Sequence, residues 1–181
     1  MKRCEWPKGE LDIEYHDNEW GKPLHDDDKF FEFLVLDTMQ AGLSWSTILK
    51  KRESMRLAFD NFDAKKISKY KEDKIEALMQ NPEIIRNRLK INALVTNAKA
   101  FLAIKKEFGT FDKFIWSFVD GKPIINHFDD ISQVPATSPI SDTMSKELKK
   151  RNFKFVGSTI CYAFMQATGM VNDHMTWCER R

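Results

Sequence analysis

Residues 149–169 read Lys149-Lys150-Arg151-Asn152-Phe153-Lys154-Phe155-Val156-Gly157, then Ser158-Thr159-Ile160-Cys161-Tyr162-Ala163-Phe164-Met165-Gln166-Ala167-Thr168-Gly169. The basic triplet closes one helix. The next six residues form a short connector ending in glycine. The run from Ser158 to Gly169 is apolar enough (Ile160, Ala163, Phe164, Ala167) to be a buried helix. Helix, tight Gly-ended turn, helix is how a helix-hairpin-helix offers backbone N–H groups to a DNA phosphate. Those amides sit at the N-terminus of the second helix, where the helix dipole favours an anion. Lys149, Lys150, Arg151 and Lys154 add charge around that spot. An ordinary αα-hairpin with a solvated basic end has the same pattern, and at this level both readings stand.

The rest of the chain extends the helical reading. Asp26, Asp27 and Asp28 supply an N-cap and first-turn acids ahead of Phe30, Phe31, Phe33, Leu34 and Leu36, in a helix that should stop near Gly42. A second helix starts around Ser44 and runs through Ile48, Met55 and Phe59, with a basic patch at Lys50-Lys51-Arg52. Asp63 and Ser68 read as further caps. Ile75, Leu78 and Met79 make a short amphipathic turn ending at Asn81-Pro82. Ile91, Leu94, Val95, Ala98, Leu102 and Phe108 follow a period near 3.6, with Gly109 as a stop. Phe111, Phe114, Ile115, Trp116 and Phe118 form an aromatic helix ending at Gly121. Residues 121–140, with three Pro and several Asp, read as a long irregular connection. The helical pattern resumes at Ser141. No stretch shows strand alternation and none repeats, so the expected fold class is all-α, in one domain of two helical lobes.

The two ends carry a metal-ligand set. Cys4 and His16 lie near the start, His174 and Cys178 near the finish: two thiols and two imidazoles, the donors of a structural zinc site. If residues 174–178 are helical, the i, i+4 spacing puts both groups on one face. With no close C-x2-C pair, scattered thiols and surface histidines remain an alternative. Among 181 residues, 42% are hydrophobic, 29 basic and 27 acidic, for a net charge of +2. That is enough apolar content for a core, and a balance that argues neither for nor against nucleic acid. Three cysteines, two of them candidate ligands, exclude a disulfide framework and point to a reducing, cytoplasmic setting. The N-terminus has no apolar h-region, and no apolar run is long enough to span a bilayer, so no membrane partner is expected.

Trp6, Tyr15, Trp20 and Trp45 stand close in sequence to Asp17, Asn18, Glu19 and Asp37. Aromatic rings can sandwich a flat base and attract a cationic one through their negative faces, and a carboxylate can accept from an exocyclic amine. Trp is so often buried that at least one of the four rings is expected to be purely structural.

Several blocks, in order, resemble 3-methyladenine DNA glycosylase I. They are Arg3-Cys4 with Trp6; Tyr15-His16-Asp17-Asn18-Glu19-Trp20-Gly21; Gln40-Ala41-Gly42-Leu43-Ser44-Trp45; Ile48-Leu49-Lys50-Lys51-Arg52-Glu53; Trp116-Ser117-Phe118-Val119; Ser145-Lys146-Glu147-Leu148-Lys149-Lys150-Arg151; and Phe153-Lys154-Phe155-Val156-Gly157 through Val171-Asn172-Asp173-His174. The match is collinear from residue 3 to residue 178. It implies a bacterial base-excision-repair enzyme of the helix-hairpin-helix superfamily, with the hairpin at about 141–169. Such an enzyme flips an alkylated base out of double-stranded DNA, hydrolyses its N-glycosidic bond and releases free 3-methyladenine. A monomer is expected.

The resemblance puts one structural zinc per chain on Cys4, His16, His174 and Cys178. It puts the base pocket on Trp6, Tyr15, Trp20, Asp37 and Trp45, with Asp37 and Tyr15 in the catalytic roles. It places Gly42 and Leu43 at the gap left by the flipped nucleotide, and Lys154, Phe155, Val156 and Gly157 on a phosphate. Three positions depart from the family. Asp37 stands where the family has Glu, one methylene and about 1.5 Å shorter. Asp12 stands where relatives have a pocket aromatic. Asn152 replaces a Gly before the hairpin turn, and Asn tolerates the left-handed conformation. Asn172 stands where many helix-hairpin-helix glycosylases carry an Asp, which implies no carboxylate at the sugar from that position. Asp37 keeps open a base- or DNA-binding relative that has lost excision. A zinc protein with a basic surface and no base pocket is a further alternative.

Overall fold

Side chains that cap backbone N–H groups set most of the helix starts. The computed structural model describes residues 1–181. Asp26 accepts from the Lys29 amide at 2.9 Å and opens α2 (Asp27–Gln40). Ser44 opens α3 (Trp45–Ala58), Asp63 opens α4 (Ala64–Ile67), and Asn87 opens the 21-residue α6 (Arg88–Phe108), which ends at Gly109 with φ 86°. Between them lies α5 (Glu72–Met79). Thr110 opens α7 (Phe111–Trp116), Ser138 opens α8 (Pro139–Lys150), and α9 spans Ser158–Ala167.

α2 is the axis of the molecule. Phe30, Phe31, Leu36 and Met39 are almost wholly buried, and every residue from Phe30 to Met39 is buried. A helix apolar nearly all round belongs in the interior. It packs on α3, α6, α7 and α9, and 44 buried residues form one connected core around it. α8 and α9 make the hairpin read from residues 149–169. Asn152 takes φ 68°, as the substitution for Gly requires, and Phe155 is also left-handed at φ 55°.

Four expectations need correction. A helix that the sequence pattern did not give, α1 (Glu10–Asn18), carries Tyr15 and His16. Ser68 opens no helix; its hydroxyl donates to the Lys65 carbonyl at the end of α4. Residues 174–178 are not helical; they follow a strand as turns, with the Cys178 amide on the Met175 carbonyl at 2.9 Å. The all-α reading misses one small feature. β1 (Ile124–Ile125) pairs in parallel with β2 (Val171–Asn172), joining Ile124 to Val171 and Ile125 to Asn172. Two-residue strands are too short to show alternation. They matter because they tie the irregular 121–140 connection to the C-terminal segment.

Candidate active site

A cavity of about 240 Å³ opens between α1, α2, α3 and α9. Tyr15 comes from α1, Asp37 and Gln40 from α2, Trp45 from the first residue of α3, and Ala163 and Gln166 from α9. Trp6 and Trp20 come from the segments flanking α1. Ile131 and Val134 come from the 121–140 connection. The aromatic walls are continuous. Trp6 meets Trp20 edge-on at 5.2 Å between ring centroids, and Tyr15 meets Trp45 at 5.1 Å. All four rings expected from the sequence line the cavity, and Tyr15 and Trp20 also belong to the core.

Asp37 is the chemical anomaly. It sits inside α2, 2% exposed, and its Oδ2 has no hydrogen-bond partner. Buried carboxylates are normally paired. Burial pushes its carboxyl well above the usual range, and no cation is near enough to offset this. The buried indole N–H groups of Trp6 and Trp45 are likewise unpartnered. Burial first, then the Asp37 and Glu19 charges, hold the Tyr15 phenol well above its ordinary pKa, so it stays a neutral hydroxyl. Unpaired polar groups amid aromatic walls suit a flat, polar-edged ligand. Asp12, by contrast, is outside this cavity. It accepts from the Ser46 hydroxyl at 2.7 Å and caps the start of α1 through the Gly9 amide.

Beside the cavity, the termini converge. Ligand atoms of Cys4, His16 and Cys178 all lie within 4.8 Å of one another, and His16 Nε2 is 3.7 Å from Cys178 Sγ. His16 Nδ1 bonds Asp17 at 2.8 Å, which leaves Nε2 facing the thiols. Asp17 is itself held by Arg3 at 2.9 Å, with Arg180 at 3.4 Å. The Arg3 hydrogen bond, above all, keeps the Asp17 carboxyl far below the carboxylate range. The His174 ring lies 4.8 Å from that of His16. Its Nδ1 bonds Asn172 Oδ1 at 2.8 Å, and its Nε2 is buried without a partner. Burial holds His174 down at about 4 and also lowers His16, so both rings are neutral near pH 7 and can act as ligands. Burial, followed by the neighbouring Cys178, raises the Cys4 thiol to about 12. A Cβ at Gly21 (φ 72°) would come within 2.9 Å of the His174 ring, so glycine makes room for that imidazole. The structure thus brings three of the four expected donors together, Cys4, His16 and Cys178, with His16 oriented by Asp17, while His174 packs beside them with its ligand atoms outside the 4.8 Å group.

The surface elements are less uniform than the sequence suggested. Gly42 (φ 78°) and Leu43 (41% exposed) form the turn between the cavity residues Gln40 and Trp45. The Lys90 ammonium, buried on α6, donates to the Met39 and Ala41 carbonyls at 2.8 and 2.6 Å and fixes the base of that turn. On the hairpin, the amides from Phe155 to Ile160 have no acceptor within the chain, and no side chain caps α9. The Lys154 amide is different. It donates to Asn97 Oδ1 at 2.7 Å, and Asn97 returns a bond to the Lys154 carbonyl. Arg151 is paired with Glu107 and Glu147. Lys154 therefore offers its ammonium but not its N–H, and Arg151 contributes little free charge.

Sequence reasoning gave no cavity role to Gln40, Ile131, Val134, Ala163 or Gln166. For Gln166 there was a signal, a lone amide in an otherwise apolar helix. For Ile131 and Val134, inside an irregular connection, there was none.

A family model described as methyladenine glycosylase matches residues 6–181. The chain belongs to the methyladenine glycosylase family. As a member of that family it is 52% identical over 177 residues to the DNA-3-methyladenine glycosylase of Haemophilus influenzae, across 97% of this chain and 96% of that protein. It matches a crystal structure of 3-methyladenine DNA glycosylase I at 51% identity with a TM-score of 0.96, covering 98% of each chain. A tyrosine-to-phenylalanine variant of 3-methyladenine DNA glycosylase I, solved in complex with 3-methyladenine, matches at 35% identity and a TM-score of 0.96, covering 99% of this methyladenine glycosylase and 97% of the other chain.

Proposed function

We propose that this chain excises 3-methyladenine from alkylated double-stranded DNA by base flipping and hydrolysis of the N-glycosidic bond. The observation that carries the reading is Asp37, a buried carboxylate without a partner inside an aromatic cavity. A 3-methylated adenine in DNA is cationic and already a good leaving group. Stacking on Trp45 and its neighbours favours the cation over normal adenine. Asp37 accepts from the base, and its charge is matched by the lesion's own. Asn172 supplies no acid or base at the sugar, because its Oδ1 is engaged by His174. The chain's part in catalysis is thus to hold the extrahelical base and stabilise it as it leaves.

The helix-hairpin-helix reading of α8–α9 gives the DNA contact. The free amides at Phe155, Val156 and Gly157 face a phosphate, Lys154 adds a charge, and Leu43 fills the stack beside Gly42. Zinc belongs at Cys4, His16, Cys178 and His174. The clustered donors, the neutral imidazoles and the orphaned Nε2 of His174 fit it. When bound, it supplies a structural crosslink, since four protein ligands leave no site for a reacting water. No helix is long and apolar enough to cross a membrane; a DNA substrate is the ground for proposing that the enzyme works in the bacterial cytoplasm.

The deciding experiment is chromatography of the bases released from methylated DNA. Release of 3-methyladenine is expected. DNA binding without release would select a relative that has lost excision.

A further inference from the structure

Gln166 lines the cavity from α9, and its neighbours dictate which end of its amide faces in. Its Nε2 donates to Asp173 Oδ2 at 2.8 Å. This assignment fits the rest of the network, in which the Asp173 carboxyl oxygens accept from every side chain around them. Asp173 is fully buried and also accepts from the Tyr162 hydroxyl at 2.8 Å and the Asn126 amide at 2.7 Å. The Gln166 carbonyl oxygen, Oε1, is therefore the end left for the cavity. Gln166 itself is anchored, since its backbone carbonyl accepts from the Gly21 amide at 2.8 Å.

We infer that Gln166 is a specificity-determining residue that presents a second hydrogen-bond acceptor beside Asp37 and so selects 6-amino over 6-oxo purines, with Asp173 as its positioning residue. The inference rests on the base-excision reading above and deepens it. Adenine carries an N6 amine with two N–H donors, whereas guanine carries an O6 acceptor at the same ring position. Two fixed acceptors satisfy the amine. Against O6 they face a lone pair, and a buried acceptor left facing an acceptor is costly. Stacking and charge cannot make this distinction, because 3-methylated adenine and guanine in DNA are both flat and cationic. A carboxylate alone could protonate and turn donor, as burial encourages Asp37 to do. The Gln166 oxygen has no such option while Asp173 holds the NH2 group.

The test compares release of 3-methyladenine and 3-methylguanine from the same methylated DNA. Gln166→Met keeps length and removes both amide groups. It should lower kcat/KM for 3-methyladenine about tenfold, one hydrogen bond's worth, and leave 3-methylguanine release level or higher, so the ratio falls at least tenfold. Asp173→Asn frees the Gln166 amide to turn its NH2 inward. It should shift the ratio the same way in the parent and add nothing in the Gln166→Met background. Melting temperature and metal content, measured alongside, identify any variant that has lost its fold. Equal losses on both bases, or an unchanged ratio in folded Gln166→Met, would overturn the assignment. If the parent protein releases no 3-methyladenine at all, the excision reading fails instead.

Discussion

Asp37 is where function and stability pull against each other. Its carboxyl is raised by burial, so the folded state holds that proton more tightly than the unfolded chain does. The sign follows. The contribution to stability is full below the ordinary carboxylate range and is lost as pH rises through the elevated folded value. Asp37→Asn should therefore melt higher than the parent at pH 8, by about 3–10 °C for one relieved buried charge. The gap should close by about pH 4, where the parent carboxyl is protonated in both states. Melting curves across pH decide this; equal curves at pH 8 would mean the carboxylate is solvated or paired. The same substitution should weaken free 3-methyladenine binding roughly tenfold, since a charge-assisted hydrogen bond is worth ~1.5–3 kcal/mol. Asp37→Glu, with its longer arm, should restore or improve both binding and excision. If titration calorimetry finds neither variant different from the parent, recognition belongs to Tyr15, the tryptophans and Gln166. The sequence marked Asp37 through its departure from a family pattern. Chemistry alone marked it only as one of three acids near the aromatic cluster, with Asp17 and Glu19, since nothing in an apolar helix says which face a carboxylate takes.

At the scale of elements, regular hydrophobic spacing and caps were readable, and the pieces that build the site were not. α2, α3 and α6 begin at the Asp, Ser and Asn caps that open apolar periods. α1 escaped because its buried positions are Asp12, Tyr15, His16 and Asp17. Its inner face is a cap, a cavity wall, an imidazole turned to the cysteine cluster and the carboxylate that orients that ring, so the apolar stripe that announces a helix is missing. α8 begins at Pro139 and not at Ser141, which is its third residue and bonds back to the Ser138 cap. The hairpin was read correctly as two helices and a tight turn, but its charge was overcounted. With Arg151 paired to Glu107 and Glu147, and Lys150 to Glu147, the unpaired basic side chains of residues 149–154 are Lys149 and Lys154, the latter next in sequence to the free amides. Lys154→Glu should lower affinity for every duplex sequence alike and reduce the slope of log K against log salt by about one or more. Its amide bond to Asn97 leaves the turn itself intact. Fluorescence anisotropy at several salt concentrations tests this, and a slope equal to the parent's would remove Lys154 from the interface.

On the scale of the whole molecule, the chain's two ends are one structure. The Glu179 amide donates to the Lys2 carbonyl, the Met175 amide to Cys4 Sγ, and Arg3 and Arg180 share Asp17. A zinc ion on Cys4, His16, His174 and Cys178 would close a loop of nearly the entire sequence. Closing a loop on the order of 100 residues with a covalent link is worth about 4–5 kcal/mol in chain entropy, and a tightly held metal acts in the same way. Cys178→Ala removes one ligand and should lose the ion. At roughly 2–4 °C per kcal/mol for a chain of this size, its melting temperature should fall by about 10–20 °C. The damage should reach the cavity as well. The Trp20 ring packs edge-on against His174 at 4.6 Å, and Trp6 against His16 at 5.4 Å, so two cavity walls rest on the two histidines proposed as ligands. Free 3-methyladenine should then bind Cys178→Ala more weakly even below its melting temperature, where the parent with its zinc binds normally. Elemental analysis of freshly purified protein should give one zinc per chain for the parent and none for the variant. A parent without zinc, or a variant that melts where the parent does, would leave the four residues as a buried cluster that needs no metal.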